Sequence, residues 1–181
     1  MICILQNAFA QESTFSKNAL KYSVGAAISD NREFNGLGLL FTAGYQRDIF
    51  KDRIRFNPNF SFGYFNAKWV SDVPDQWYNS LSLQALVHGD LIWYKAFAIT
   101  LCAGPVVNNT RGLLGTGGYP PGRTRSDYLS LWHTGMFFSG GLRINPSKSN
   151  VAFELIPFAI QADHQYHFEG GVKLGIDVKL R

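Results

Sequence analysis

The sequence predicts an all-β chain, an eight-stranded antiparallel up-and-down transmembrane β-barrel. Three observations lead there. Apolar and polar residues alternate with a period of two in segment after segment. The face opposite the apolar one is rich in glycine, serine and alanine rather than in lysine and glutamate. No run of about eighteen apolar residues and no capped stretch of helical period is present, which leaves strands as the only spanning element.

Composition agrees. Aromatic residues make up 15% of the 181 residues and glycines number 18, while charged residues at 17% fall below the usual quarter. The length suits one domain. The net charge of +4 is spread along the chain without a basic stripe or a reading motif, so nucleic acid is not an expected partner.

The clearest alternation is "RIRFNPNFSFGYF". Ile54, Phe56, Pro58, Phe60, Phe62 and Tyr64 form one face, and Arg53, Arg55, Asn57, Asn59, Ser61 and Gly63 the other. Before it, Tyr22 to Ile28 and Leu37 to Tyr45 alternate in the same way. After it come Leu81 to Trp93, Phe97 to Ala103, Tyr128 to Leu142, Val151 to Ala159 and Phe168 to Leu180. Each of the eight has about the nine to eleven residues that cross a bilayer as a tilted strand. No charged residue stands in any of the apolar sets, which suits lipid, while small residues suit the crowded inside of a narrow barrel. Closure follows, because an open sheet edge in hydrocarbon leaves backbone groups unpaired.

Short connections are expected at Phe50-Lys51-Asp52, Tyr94-Lys95 and Asn145 to Asn150, and longer ones at Asn66 to Gln76 and Asn108 to Asp127. Asn31 to Asn35 and Ala162 to Gln165 are short loops on the same side as the long ones. Two aromatic girdles match this layout: Tyr22, Tyr45 and Trp93 at one end, and Tyr64, Trp77, Tyr128 and Phe168 at the other. Residues 1–10 read as the remnant of a secretory signal, with Ala8-Phe9-Ala10 as a small-x-small cleavage site and the translation start expected upstream of Met1. The barrel domain is expected over residues 20–181. Cys3 leaves with the signal, so Cys102 stands alone and no disulfide framework is expected.

From Lys21 to Leu180 the chain resembles the small eight-stranded outer-membrane barrels of the OmpA/OmpX and opacity-protein type, within the porin-like superfamily. The last strand, "KLGIDVKL", is similar to a barrel-assembly signal, although Arg181 replaces the aromatic residue on which bacterial members usually end. The resemblance implies an outer-membrane location with both termini periplasmic, and contact with outer-membrane lipids and the barrel-assembly machinery. It also implies a structural, adhesive or surface-interaction role, without enzymatic activity or a wide pore.

Eight strands leave an interior that side chains fill. Arg53, Arg55, Asp90, Arg143, Glu154 and Asp177 are expected to point inward as a neutralising charge network, because buried charges require partners. Arg111, Arg123 and Arg125, in the loop "NNTRGLLGTGGYPPGRTRSD", are expected to contact lipopolysaccharide phosphates or an extracellular surface partner. No cofactor is expected. Two histidines, His164 and His167, lie three apart in a loop and make a weak metal site, so no metal is expected either. The alternative is a lipid-A-modifying enzyme. It would place Leu129, Leu131, Ile156 and Phe158 inward around an acyl chain, with Pro58, Pro105 and Pro157 interrupting the wall. Its nucleophile–base pair is missing, since His133 sits in "WHTGM" without a serine two residues on. A soluble lipocalin-like carrier would need the apolar faces inside.

Overall fold

The computed structural model describes residues 17–31, 34–50, 53–66, 76–116, 125–146, 149–163 and 168–180. They form eight strands: β1 (Asn18–Asn31), β2 (Phe34–Phe50), β3 (Ile54–Asn66), β4 (Trp77–Tyr94), β5 (Phe97–Thr116), β6 (Arg125–Ile144), β7 (Val151–Asp163) and β8 (Phe168–Leu180). Each strand pairs antiparallel with the next. β8 returns to β1 in an unbroken register from Asn18–Leu180 to Asp30–Phe168, and the barrel is closed. The signal remnant expected at residues 1–10 lies outside the described residues.

Alternation becomes an inside-out protein. Phe60 is 42% exposed and its neighbour Ser61 only 4%, and all of β3 repeats that contrast. Tyr22, Phe41, Leu83, Leu101, Phe138, Phe153 and Leu174 continue the exposed belt around the barrel. Apolar surface on that scale has its stable environment in hydrocarbon. The soluble-carrier reading, which needs apolar faces inside, is excluded by the same exposures.

The lumen is filled in levels. Six buried charges gather at the end that carries the chain termini, while buried Lys173 and Glu169 lie farther along β8 toward the loop end. Asn57, Asn59, Ser61, Gln84 and Gln161 come next, together with an apolar cluster of Leu86, Cys102, Phe137, Ile156 and Ala159. Near the opposite, loop end, Phe65 and Tyr78 stack at 4.8 Å with their planes 18° apart. Gly38 makes room for that plug, because a Cβ there would lie 2.4 Å from Phe65 Cδ1.

Strand parity fails where the ladder does. Around Pro157 the register slips on both sides of β7, leaving Pro157 and Phe158 opposite the single residue Val172. Phe158 therefore turns outward and Ala159 inward, the reverse of expectation. Proline cannot donate to the ladder, and a bulge removes that obligation. Strand length is also corrected. The expected loop from Asn108 to Asp127 is ladder for most of its span, since β5 and β6 stay paired up to Thr116–Arg125. Residues 117–124 lie outside the described set.

Pro58 is handled differently. The β2–β3 register runs to Gly44–Asn59 and resumes at Arg47–Phe56, omitting the pairs at Tyr45 and Gln46. That pattern arises when the missing Pro58 N–H is the one owed to the Tyr45 carbonyl. Asn57 Nδ2 donates to that carbonyl at 2.9 Å, a side chain replacing a ladder donor. Asn57→Ala should cost about 1–3 kcal/mol, the range for a buried acceptor left unpaired. In a Pro58→Ala background, which restores a backbone donor, the loss should shrink. A double-mutant cycle by urea unfolding in lipid vesicles checks this, and equal losses in both backgrounds would refute the replacement.

Candidate functional site

At the terminal end six buried charges converge from six strands. Lys21 (β1) forms ion pairs with Glu154 (β7) and, at 3.2 Å, with Asp177 (β8). Arg55 (β3) pairs with Asp90 (β4), and Arg143 (β6) lies 3.5 Å from Asp90 and 3.3 Å from Asp177. Thr100 donates to Asp90 at 2.8 Å and Gln46 to Asp177 at 3.5 Å. Three cations thus meet three carboxylates and the cluster is formally neutral, as burial this deep demands.

Five of the six expected network residues stand in this cluster: Arg55, Asp90, Arg143, Glu154 and Asp177. Arg53 does not. It is exposed in the turn before β3, where its N–H donates to the Phe50 carbonyl and its own carbonyl accepts from Asp90 N–H. Strand parity does not extend into that turn. Lys21, absent from the expected network, contacts both Glu154 and Asp177. It belongs to the polar set of the first segment, and the excess of acids over interior arginines once Arg53 is removed was the available signal.

Two buried histidines line the lumen. His88 Nε2 lies 3.5 Å from Cys102 Sγ, and its Nδ1 lies 4.0 Å from Glu154. Nearer the loop end His133 Nε2 lies 3.1 Å from Thr110 Oγ1, and Nδ1 lies 3.1 Å from Asp163 Oδ2. A hydroxyl, an imidazole and a carboxylate in that sequence are the parts of a nucleophile relay. Thr110 and His133 are 3% and 4% exposed, so in this conformation the group ties β5, β6 and β7 together rather than meeting a substrate. Among the described residues no group of three or more His, Cys, Asp or Glu could hold a metal ion. His164 and His167 lie outside them.

The four apolar residues expected around an acyl chain do not share a cavity wall. Ile156 is buried inside, Phe158 faces outward, and Leu131 is 37% exposed on the projecting part of β6. The void beside Gln84, Phe137 and Lys173 is about 10 Å³, room for one water at most.

The loop-end hairpin is the other candidate. β4 accompanies β5 up to Leu113, but β7 accompanies β6 only to Gly135–Asp163. From Tyr128 to Trp132, β6 has β5 on one side and, among the described residues, no strand on the other. Arg111 is exposed on β5, facing outward across from Ser130. Arg125 closes the described ladder opposite Thr116, and Arg123 lies outside the described residues. Tyr128 and Trp132 are exposed, and Tyr64 stacks with Trp77 at 6.5 Å as part of the same girdle. The side chain of Phe168, expected there as well, is outside the described set.

No protein-family model and no curated protein matches the chain. Solved structures do. Neisserial surface protein A, NspA, superposes with a TM-score of 0.59 at 15% identity, over 91% of this chain and 98% of that one. Ail, the attachment invasion locus protein of Yersinia pestis, gives 0.55 at 13% identity, over 92% and 99%. This chain has the fold of the small eight-stranded outer-membrane barrels. At such identities the likeness extends to architecture and not to any particular residue.

Two outcomes follow from the filled lumen. Lys21→Met should destabilise by about 3–5 kcal/mol, because it leaves Glu154 and Asp177 short of a counter-charge. Arg53→Gln, in the turn, should change little. Unfolding of both variants in vesicles tests the contrast, and similar losses would contradict the assignment of Lys21 to the network. In planar bilayers the pure protein should show no large steady conductance, and reproducible nanosiemens openings would show that the lumen is not closed.

Proposed function

We propose that the protein is an integral outer-membrane barrel, with both termini periplasmic, that acts at the cell surface through its β5–β6 hairpin and not as an enzyme or a wide pore. The observation that carries this reading is the ladder that continues to Thr116–Arg125 after β7 has ended at Asp163. A paired ribbon standing above a barrel rim is a scaffold for contact.

The side of that ribbon that faces no strand among the described residues has a defined chemistry. Pro105 keeps its place opposite Met136 in the β5–β6 register, while the β4–β5 register omits the pair at Ala85. The donor that Pro105 lacks is therefore the one owed to β4, and this sets the phase of the antiparallel ladder. In that phase the N–H groups of Tyr128, Ser130 and Trp132 point away from β5. An extended segment of an extracellular partner protein could pair with them, with Tyr128 and Trp132 as apolar anchors.

Arg111, Arg123 and Arg125 supply the second contact, to lipopolysaccharide phosphates, for which a guanidinium fork is suited. Barrel-assembly machinery is the partner during insertion, in line with the final strand "KLGIDVKL". Replacing all three arginines with serine should leave heat-modified gel mobility unchanged and lower binding to lipopolysaccharide vesicles. The difference should narrow at high salt, since exposed charges are screened over about 8–10 Å at physiological ionic strength. Binding that is indifferent to the triple replacement would end the arginine reading.

A further inference from the structure

We propose that the outer wall from β8 through β1 to β5 binds one anionic diacyl phospholipid, with its phosphate on Arg47 and its two acyl chains on either side of Phe60. Two adjoining grooves open on the membrane face. The first, about 470 Å³, is lined by Tyr22, Val24, Phe41, Phe60, Leu174 and Ile176, among others, over Ala43. The second, about 570 Å³, lies beyond Phe60 over Pro58, Ala85 and Pro105, with Leu83 and Val107 along it. Ala43 and Phe60 belong to both, so the ring of Phe60 divides one trench into two slots. Both are open to the membrane along their length, grooves on the wall rather than enclosed cavities.

The cation sets the depth and the sign of the headgroup. Arg47 lies four residues beyond Ala43 on β2, about 13 Å along the strand and on the same outward face. It is exposed and, among the described residues, has no carboxylate partner. At its level the Tyr45 hydroxyl donates to Asn18, whose register partner is Arg47, so polar groups gather around it, with Ile49, Phe50 and Ile54 exposed beyond them toward the β2–β3 turn. An arginine there snorkels to the phosphate plane while its stem stays in hydrocarbon. A second copy of the chain fits this face poorly, because a two-fold axis through the trench would bring the two Arg47 side chains together. The proposed orientation places the lipid in the periplasmic leaflet. The site itself does not depend on that orientation, and labelling of the loop-end hairpin from outside the cell tests orientation separately.

The experiment is native mass spectrometry of the detergent-folded protein with dioleoyl phosphatidylglycerol or dioleoyl phosphatidylcholine. Phosphatidylglycerol should be retained as a one-to-one adduct at least threefold more than phosphatidylcholine. Arg47→Gln should abolish that preference, and Ala43→Trp, which fills the trench, should reduce retention of both lipids. Heat-modified mobility confirms that each variant is folded, and Ala43→Leu serves where the tryptophan interferes. Equal retention of the two lipids, a preference that survives Arg47→Gln, or a protein dimer in place of a lipid adduct would each overturn the proposal.

Discussion

Backbone hydrogen bonding in a medium without water is the constraint on which this molecule depends. Every N–H and C=O within the belt must find a partner inside the protein, and a closed ladder is the only arrangement of strands that achieves it. The unbroken β8–β1 register follows from that requirement, and so does the treatment of Pro157 and Pro58. Pro157 is placed in a bulge, where register is already lost. Pro58 keeps its register, and Asn57 supplies the donor it lacks. A soluble sheet would move such residues to an edge, but a barrel has none to offer.

Closure also decides what the inside can be. A ring of eight strands is too narrow for a water column, so groups directed inward are taken out of solvent whether or not they are polar. Lys21, Arg55 and Arg143 are tolerated because Asp90, Glu154 and Asp177 face them from other strands. Residues from six strands share the cluster, which therefore reports on the register of most of the barrel at once. A one-residue slip of a contributing strand would turn its charge toward lipid. The cluster thus acts against misregistered barrels even where its net contribution to stability is small.

These same rules explain how far the sequence can be read. Within the belt lipid lies on one side and a crowded lumen on the other, so period-two alternation is strong and Phe60 and Ser61 sort without ambiguity. At the Pro157 bulge one extra residue reverses parity, and Phe158 and Ala159 exchange faces. Alternation contains no mark of where a bulge begins. Toward the loop end the chemical difference between the two faces of β5 fades, since Asn108, Asn109 and Thr110 are polar in succession and all buried, and the stretch from Asn108 to Thr116 looks like loop although it is strand. Arg53 shares the parity of Arg55 but lies one residue outside β3, in a turn where parity no longer sets the face. Lys21 was on the correct face in the sequence, but the pairing that makes it part of the cluster spans more than 130 residues and is set only when the barrel closes.

A filled lumen leaves the outside and the two rims as surfaces on which such a barrel can act. The outward face is uncharged through the belt and regains arginine at each end, Arg47 beside the chain termini and Arg111 on the projecting hairpin. Cations near both ends of an apolar band oppose movement of the barrel along the membrane normal, because it would carry one of them toward hydrocarbon. They also place positive charge at both headgroup planes, where phosphate is the common anion. The chain can therefore hold its inward and belt-facing residues to the demands of closure and leave recognition to positions just outside the belt. There, side chains are free of the ladder's constraints and still positioned by its rigidity.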